Sequence, residues 1–303
     1  MKEKRPLPCA LVTGATGFVG SHLTRRLVQH GWKVHIVARP QSKMDLLQDV
    51  LGQIRTYVHD GTTAGIIKYV GEIVPDVVFH MATMFRSSHQ ISEIEEMIKS
   101  NVLFGTQVAE SLTHVPNSKL INCGTAWQHF DGKSYSPVAL YAATKQAMQD
   151  VLLYYSEVKG VKILTLKFFD VYGPGDPRPK VLNIIREASK MGYTIDMSGG
   201  EQLINLVYVT DAVDAILLAY KLMNKTPRQK MEFFVRAEHA VTLKNLVDLY
   251  HKITNRDIKV RWGARKYRER EMFHPWIVGD NLPGWVPKVS LLKGIQLLET
   301  SQS

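Results

Sequence analysis

Along the first half of the chain, short continuous apolar runs alternate with stretches whose apolar positions recur every three or four residues. Residues 9–12, 34–38, 54–59, 75–83, 119–123 and 161–169 read as strands. After the first, Val19, Leu23, Leu27 and Val28 fall on one helical face. Residues 93–113 read as one long helix, in which Asn101 is polar in an apolar neighbourhood, and residues 141–159 as another. Strands alternating with helices in this way predict an α/β chain with a doubly wound parallel sheet. His80 lies inside an apolar strand and reads as a packed core histidine.

Beyond about residue 172 the rhythm changes. Residues 170–179 form a proline/glycine loop, 180–191 a helix, 201–209 an extended segment and 210–222 a helix capped by Thr210-Asp211. Residues 231–235 read as a strand, Thr242 opens a helix over 243–253, and a tail over 259–298 is rich in Arg, Trp and Pro. This predicts a Rossmann dinucleotide-binding domain over residues 1–172, with a returning segment near 205–222, and a smaller C-terminal substrate-binding domain over 173–303. No internal repeat or low-complexity tract is present.

The first strand runs into Val12-Thr-Gly-Ala-Thr-Gly-Phe-Val-Gly20. Gly14 permits the tight turn, Gly17 lets the backbone approach a pyrophosphate, and Gly20 allows close helix–strand packing. Amides at the helix start, around Thr16, Phe18 and Val19, then face the phosphate. At the end of the second strand an acid would hold a ribose 2′-hydroxyl. Here Arg39 stands instead, followed by Ser42 and Lys43. That selects NADP(H), with NAD(H) kept as the alternative if the basic loop is only a solvated face. Asp60-Gly61 closes the third strand as an adenine contact, and small Ala82 and Thr83 let a cofactor cross the strand tips. Met81, Asn101 and Phe168 complete the cofactor candidates. Residues 84–88, with Phe85 and Arg86, form a loop at the same edge and are placed against substrate.

Composition narrows the partners. The 303 residues carry 38 Lys and Arg against 28 Asp and Glu, a formal net charge of +10, but no basic block interleaved with aromatics. An anionic cofactor and an anionic small substrate account for the sign better than nucleic acid. Cys9 and Cys123 both sit in apolar strand-like runs, reading as buried thiols in a reducing compartment, with no metal or disulfide framework. Met1 to Arg5 resemble the start of a leader, but the apolar segment after them is broken by the glycine turn. No apolar run is long enough for a membrane span, so a soluble, cytoplasmic protein without membrane contact is expected.

Tyr141 and Lys145 stand one helical turn apart and share a face. A phenol near pKa 10 is a poor proton shuttle at neutral pH. An ammonium and the positive charge of a nicotinamide beside it favour tyrosinate and bring it toward working range. Thr125, earlier in the chain at a strand end, offers a hydroxyl to the same substrate oxygen.

With these residues the chain resembles the extended short-chain dehydrogenases/reductases, the nucleotide-sugar epimerase/dehydratase family. The resemblance covers nearly the whole chain and rests on Thr13-Gly-Ala-Thr-Gly-Phe-Val-Gly20, His80-Met-Ala82, Asn101-Val102, Tyr141-x-x-x-Lys145, Val171-Tyr-Gly-Pro-Gly175 and Val207-Tyr-Val-Thr-Asp211. Gly200-Glu-Gln202 and the tail from Trp262-Gly to Gly284-Trp285 look closest to reductases of nucleotide-linked 4-keto-deoxyhexoses. The resemblance implies that Tyr141 is the acid/base, that Lys145 holds the nicotinamide ribose and tunes Tyr141, and that Thr125 hydrogen-bonds the sugar oxygen. The family's Ser/Thr maps to Thr125 or Gly124, and only Thr125 has a hydroxyl.

Asp170 stands where the family usually has Asn, at a substrate contact, and Ile204 where it often has Arg for the substrate diphosphate. Diphosphate binding then falls to Lys180, Arg178 or the cluster over residues 265–270, represented by Arg268. The family's dehydratases carry Asp-Glu after the active-site Thr, whereas this chain has Ala126 and Trp127, which exchange no proton. The expected function is an NADPH-dependent reductase of a nucleotide-linked 4-keto-6-deoxy sugar. The alternatives are a nucleotide-sugar epimerase with tightly bound cofactor and a non-catalytic nucleotide-binding regulator. The two long helices are expected to pair in a homodimer.

Overall fold

A computed structural model describes residues 7–274 and 277–301, so the leader-like Met1 to Arg5 lie outside the described residues. The first half alternates as expected: β1 (Cys9–Thr13), α1 (Phe18–Gln29), β2 (Lys33–Ala38), β3 (Ile54–Val58), α2 (Thr63–Ile73), β4 (Val77–His80), α3 (Ile94–Ile98), α4 (Phe104–Leu112), β5 (Lys119–Thr125), α5 (Leu140–Glu157) and β6 (Lys162–Phe168). The second half follows with β7 (Asp170–Tyr172), α6 (Val181–Met191), β8 (Ile195–Asp196), β9 (Leu203–Ile204), β10 (Leu206–Tyr208), α7 (Val209–Lys225), β11 (Lys230–Val235), β12 (Val241–Thr242), α8 (Leu243–Thr254), β13 (Val260–Arg261) and α9 (Leu291–Thr300).

Seven strands pair in the order β11-β6-β5-β4-β1-β2-β3, every pair parallel. Every residue of β1 and β4 is buried, as helices on both faces of the sheet require. Side chains of α1 and α7 share one core with the sheet. Those of α2, α4 and α5 share the other. Strand order reverses between β1 and β4, and ligands of open α/β sheets bind outside the carboxyl ends at such a switch point.

Several elements differ from the sequence-based expectation. Lys230–Val235, read as part of the smaller domain, pairs with β6 as the sheet's seventh strand. The fourth strand stops at His80, leaving Met81, Ala82 and Thr83 as irregular backbone at its tip. The helix expected over 93–113 is broken into α3, a π-helical turn at Lys99–Leu103 and α4. Asp170–Tyr172 is not loop but a short strand paired with β10. Asp211 does not cap α7; its carboxylate accepts from the Lys288 and Val289 amides and ties the tail to that helix. Around the carboxyl edge, β8 pairs with β13 and β9 with β12, and α6, α8 and α9 accompany these ladders.

Candidate active site

The glycine turn is a cradle with no room for side chains. Gly14 adopts φ +67°, and a Cβ there would lie 2.6 Å from the Ala82 nitrogen. A Cβ on Gly20 would overlap the Gly14 carbonyl oxygen, so Gly20 serves the turn itself rather than a helix–strand contact. Gly17 is exposed and caps α1 with no side-chain hydrogen bond, leaving the first-turn amides at Phe18 and Val19 open beside Thr16. An open helix N-terminus against a side-chain-free turn fits a pyrophosphate. Next to it the Thr13 hydroxyl lies 2.9 Å from His80 Nδ1 and accepts from the Ala82 amide at 3.3 Å. His80 is buried and neutral, its pKa pulled down to about 3 by burial and then by Lys145. It is the core histidine expected from its strand.

At the rim, Arg39 is 60% exposed and its guanidinium meets Glu96 on α3 at 2.9 Å. No sequence signal placed this carboxylate beside the basic loop. Asp60 turns inward on its own loop, accepting from the Thr62 amide and hydroxyl, both at 2.8 Å. The Gly61 carbonyl accepts from Gln107.

Thr125, Tyr141 and Lys145 converge at the tip of β5. Thr125 ends the strand, in register with Phe168 on β6, and caps the single turn Ala126–Gln128. Tyr141 and Lys145 lie in the first turns of α5 and are 8% and 2% exposed. Burial, and then Cys123, raise the Tyr141 phenol above its ordinary value. Arg178 and a hydrogen bond from Thr125 pull the other way and are outweighed. The expectation that Lys145 brings the phenol down is therefore not met by the protein's own groups; Tyr141 is held protonated. Lys145 itself is drawn from 10.5 to about 8, because burial outweighs a smaller pull from Cys123. Cys123 is half-buried, its sulfur 3.1 Å from that of Met81, and burial pushes its thiol up to about 12.

Asn101, nominated for the cofactor, is 1% exposed and has its side chain fully committed. Its oxygen accepts from the Thr83 hydroxyl and the Met84 amide; its nitrogen donates to the Met84 carbonyl and the Thr144 hydroxyl. It sits in the π-helical turn, a distortion that recurs at functional sites.

The substrate candidates gather over Tyr141. The Phe85 ring meets Tyr141 edge-on at 4.9 Å and Trp127 at 5.5 Å. Lys180 Nζ lies 4.1 Å over Phe85 and pairs with Asp170 at 2.9 Å. The Arg268 guanidinium stacks 5.3 Å over Trp127 and is in no ion pair among the described residues. Arg86 is turned onto Glu93 at 2.5 Å, away from an open role, and Arg178 is clasped by Asp176 at 2.6 Å while lying over Phe18. Trp127 was singled out in the sequence only as a residue unable to move a proton; its ring forms part of this wall. Among the described residues no three His, Cys, Asp or Glu side chains are grouped to hold a metal, and no helix is long and apolar enough to cross a membrane.

Residues 10–231 match the profile of the NAD dependent epimerase/dehydratase family, and the chain belongs to that family. It is thus an oxidoreductase-type enzyme of the extended short-chain class. The chain is 25% identical over 267 residues to the CDP-abequose synthase of Yersinia pseudotuberculosis, covering 88% of this chain and 90% of that protein. It is 23% identical over 309 residues to the UDP-glucose 4-epimerase of Lactobacillus helveticus, covering 92% of each. The structure of UDP-glucuronic acid 4-epimerase from Bacillus cereus, in complex with UDP-glucuronic acid and NAD, superposes with a TM-score of 0.83 at 20% identity over 96% of this chain and 97% of that one.

Proposed function

We propose that the protein is an NADPH-dependent reductase of a nucleotide-linked 4-keto-6-deoxy sugar. The observation that carries this is the convergence of Thr125, Tyr141 and Lys145 at the β5 tip, with the Tyr141 phenol buried there as a proton donor. Reduction of a ketone needs a proton donor at its oxygen, whereas oxidation of an alcohol needs a base there. When bound in its reduced form, the dinucleotide supplies a hydride to the keto carbon. Tyr141 delivers its phenolic proton to the oxygen, Thr125 donates a hydrogen bond to the same oxygen, and the Lys145 charge stabilises the phenolate left behind. Phe85 and Trp127 form an apolar wall for the 6-deoxy end, and Arg268, with its guanidinium over Trp127, is offered to the diphosphate. The ladders and helices at the carboxyl edge act as the substrate-binding domain. Similarity to a CDP-abequose synthase over most of both chains supports a nucleotide-sugar substrate. Tyr141→Phe tests the assignment: loss of turnover with unchanged cofactor affinity supports it, and normal turnover overturns it.

A second reading, a nucleotide-sugar epimerase retaining its cofactor, is favoured by one observation. Glu96 neutralises the Arg39 that would choose NADP(H), and the similar UDP-glucose 4-epimerase points the same way. A homodimer through α3 to α5 is also proposed, on the exposure of Ile91, Ile98, Leu103, Tyr154 and Val158 along these segments.

A further inference from the structure

Thr125 is locked in place from behind. Its Oγ1 accepts from the Trp127 amide at 3.3 Å, and the Gln128 side chain accepts from the Thr125 amide at 3.0 Å, a reciprocal capping box around one turn. With that oxygen accepting from a backbone donor, the Thr125 hydroxyl keeps its own hydrogen to donate. Gln128 is fully buried and holds two more bonds, donating to Gln146 at 2.7 Å and Gln149 at 3.1 Å. Gln149 in turn donates to Glu232 on β11. Glu232 meets Lys167 of β6 at 2.7 Å, and Lys167 Nζ lies 2.9 Å from His129 Nε2.

This chain of contacts is costly to build. Lys167 is 2% exposed while its partner Glu232 is only half-buried, so the ammonium is desolvated against a carboxylate that stays partly in water. Gly124 is required beneath it, since a Cβ there would lie 2.9 Å from the Lys167 side chain and 3.2 Å from the Gln128 oxygen. His129 is held neutral, its pKa lowered to about 4 by burial and then by Lys167, so Nε2 accepts from the ammonium. Every group from β11 to Thr125 has a donor facing an acceptor.

We propose that Gln128 is a positioning residue: it fixes the direction in which Thr125 offers its hydroxyl, and the Lys167–Glu232 pair fixes Gln128 through Gln149. The proposal rests on the reading of Thr125 as a substrate contact. A hydroxyl displaced by a fraction of its bond length from the developing charge loses much of its effect on turnover. Cofactor binding depends on it far less.

The test measures kcat and KM on a panel of CDP-, dTDP-, UDP- and GDP-linked 4-keto-6-deoxyhexoses, with NADPH affinity and melting temperature alongside. Gln128→Met is expected to lower kcat by at least about tenfold with NADPH affinity close to the parent protein. Both are measured below a melting temperature that itself falls, because the Thr125 amide and the Gln146 and Gln149 oxygens lose their partner. Thr125→Val should lose at least as much. Thr125→Val/Gln128→Met should be no slower than Thr125→Val alone, because Gln128 acts through Thr125. If Gln128→Met does not fold, Gln149→Leu carries the test: it leaves the Gln128–Thr125 bond and removes its brace, and should lower kcat by about threefold or more. Normal kcat in Thr125→Val overturns the substrate role of Thr125, and the proposal with it. A slow Thr125→Val beside normal Gln128→Met and Gln149→Leu, or fully additive losses, overturns the proposal alone.

Discussion

Asn101 Nδ2 donates to Thr144 Oγ1 at 2.9 Å, joining two buried side chains 43 residues apart. Thr144 lies between Tyr141 and Lys145 on α5, and its hydroxyl donates on to the Tyr141 carbonyl at 2.7 Å. The other bonds of Asn101 hold Thr83 and Met84, so one carboxamide ties the β4 tip to the helix carrying both candidate catalytic side chains. Asn101→Ala strands several buried polar groups at once. A loss of about 2–4 kcal/mol is expected, read by urea unfolding, with kcat falling more than NADPH affinity. A loss below about 1 kcal/mol would show that water replaces the carboxamide without consequence.

Arg39 and Glu96 form an ion pair at the rim of the proposed cofactor site. Their pair is exposed and contributes little to stability, so its effect belongs to binding. Arg39→Ala is expected to weaken NADPH by about tenfold or more while sparing NADH. Glu96→Gln removes the competing carboxylate and should tighten NADPH by a few-fold. Fluorescence titration separates these from a solvated loop, for which Arg39→Ala weakens both cofactors equally.

Arg268→Ala should raise the KM for the nucleotide sugar by about tenfold and leave cofactor affinity alone. Unchanged KM would move the diphosphate toward Lys180 or Arg178, each of which would first have to release its own carboxylate.

Lys145 links stability to pH. Its folded pKa, about 8, lies below its ordinary 10.5, so between those values the unfolded chain binds more protons than the folded one. The penalty for burying this charge is therefore absent above about 10.5, grows as pH falls to about 8 and is level below. The charged side chain costs about 3 kcal/mol at pH 7. Lys145→Met should stabilise the fold at pH 7, and its advantage should shrink by about 2 kcal/mol by pH 9.5. Denaturant unfolding of both proteins at the two pH values checks this, and a pH-independent difference would contradict it.

Strand positions through β6 were legible because continuous apolar runs bounded by turn residues have few other uses. Residues 231–235 were also legible as a strand, but their place in the main sheet was not, since a late strand carries no mark of which edge it will join; only the pairing with β6 reveals that. The break at Asn101 was hidden for another reason. A π-helical turn keeps its apolar spacing nearly helical, and the bonds that support it come from residues far along the chain. Thr125, Tyr141 and Lys145 were visible as residue types at a recognisable spacing, but the balance of burial over charge at Tyr141 depends on packing. Gln128 was within reach: Thr125-x-x-Gln128 is a capping-box pattern, unused because no helix was expected there.

The central claim is that Tyr141 gives its proton to a carbonyl reduced at the expense of NADPH. The most direct measurement supplies NADPH with each nucleotide-linked 4-keto-6-deoxyhexose in turn and follows cofactor oxidation and product together. One NADPH consumed per single 4-hydroxy product is expected, with Tyr141→Phe slower by at least about a hundredfold. Interconversion of 4-hydroxy epimers with no net loss of NADPH, or near-normal turnover in Tyr141→Phe, would contradict it.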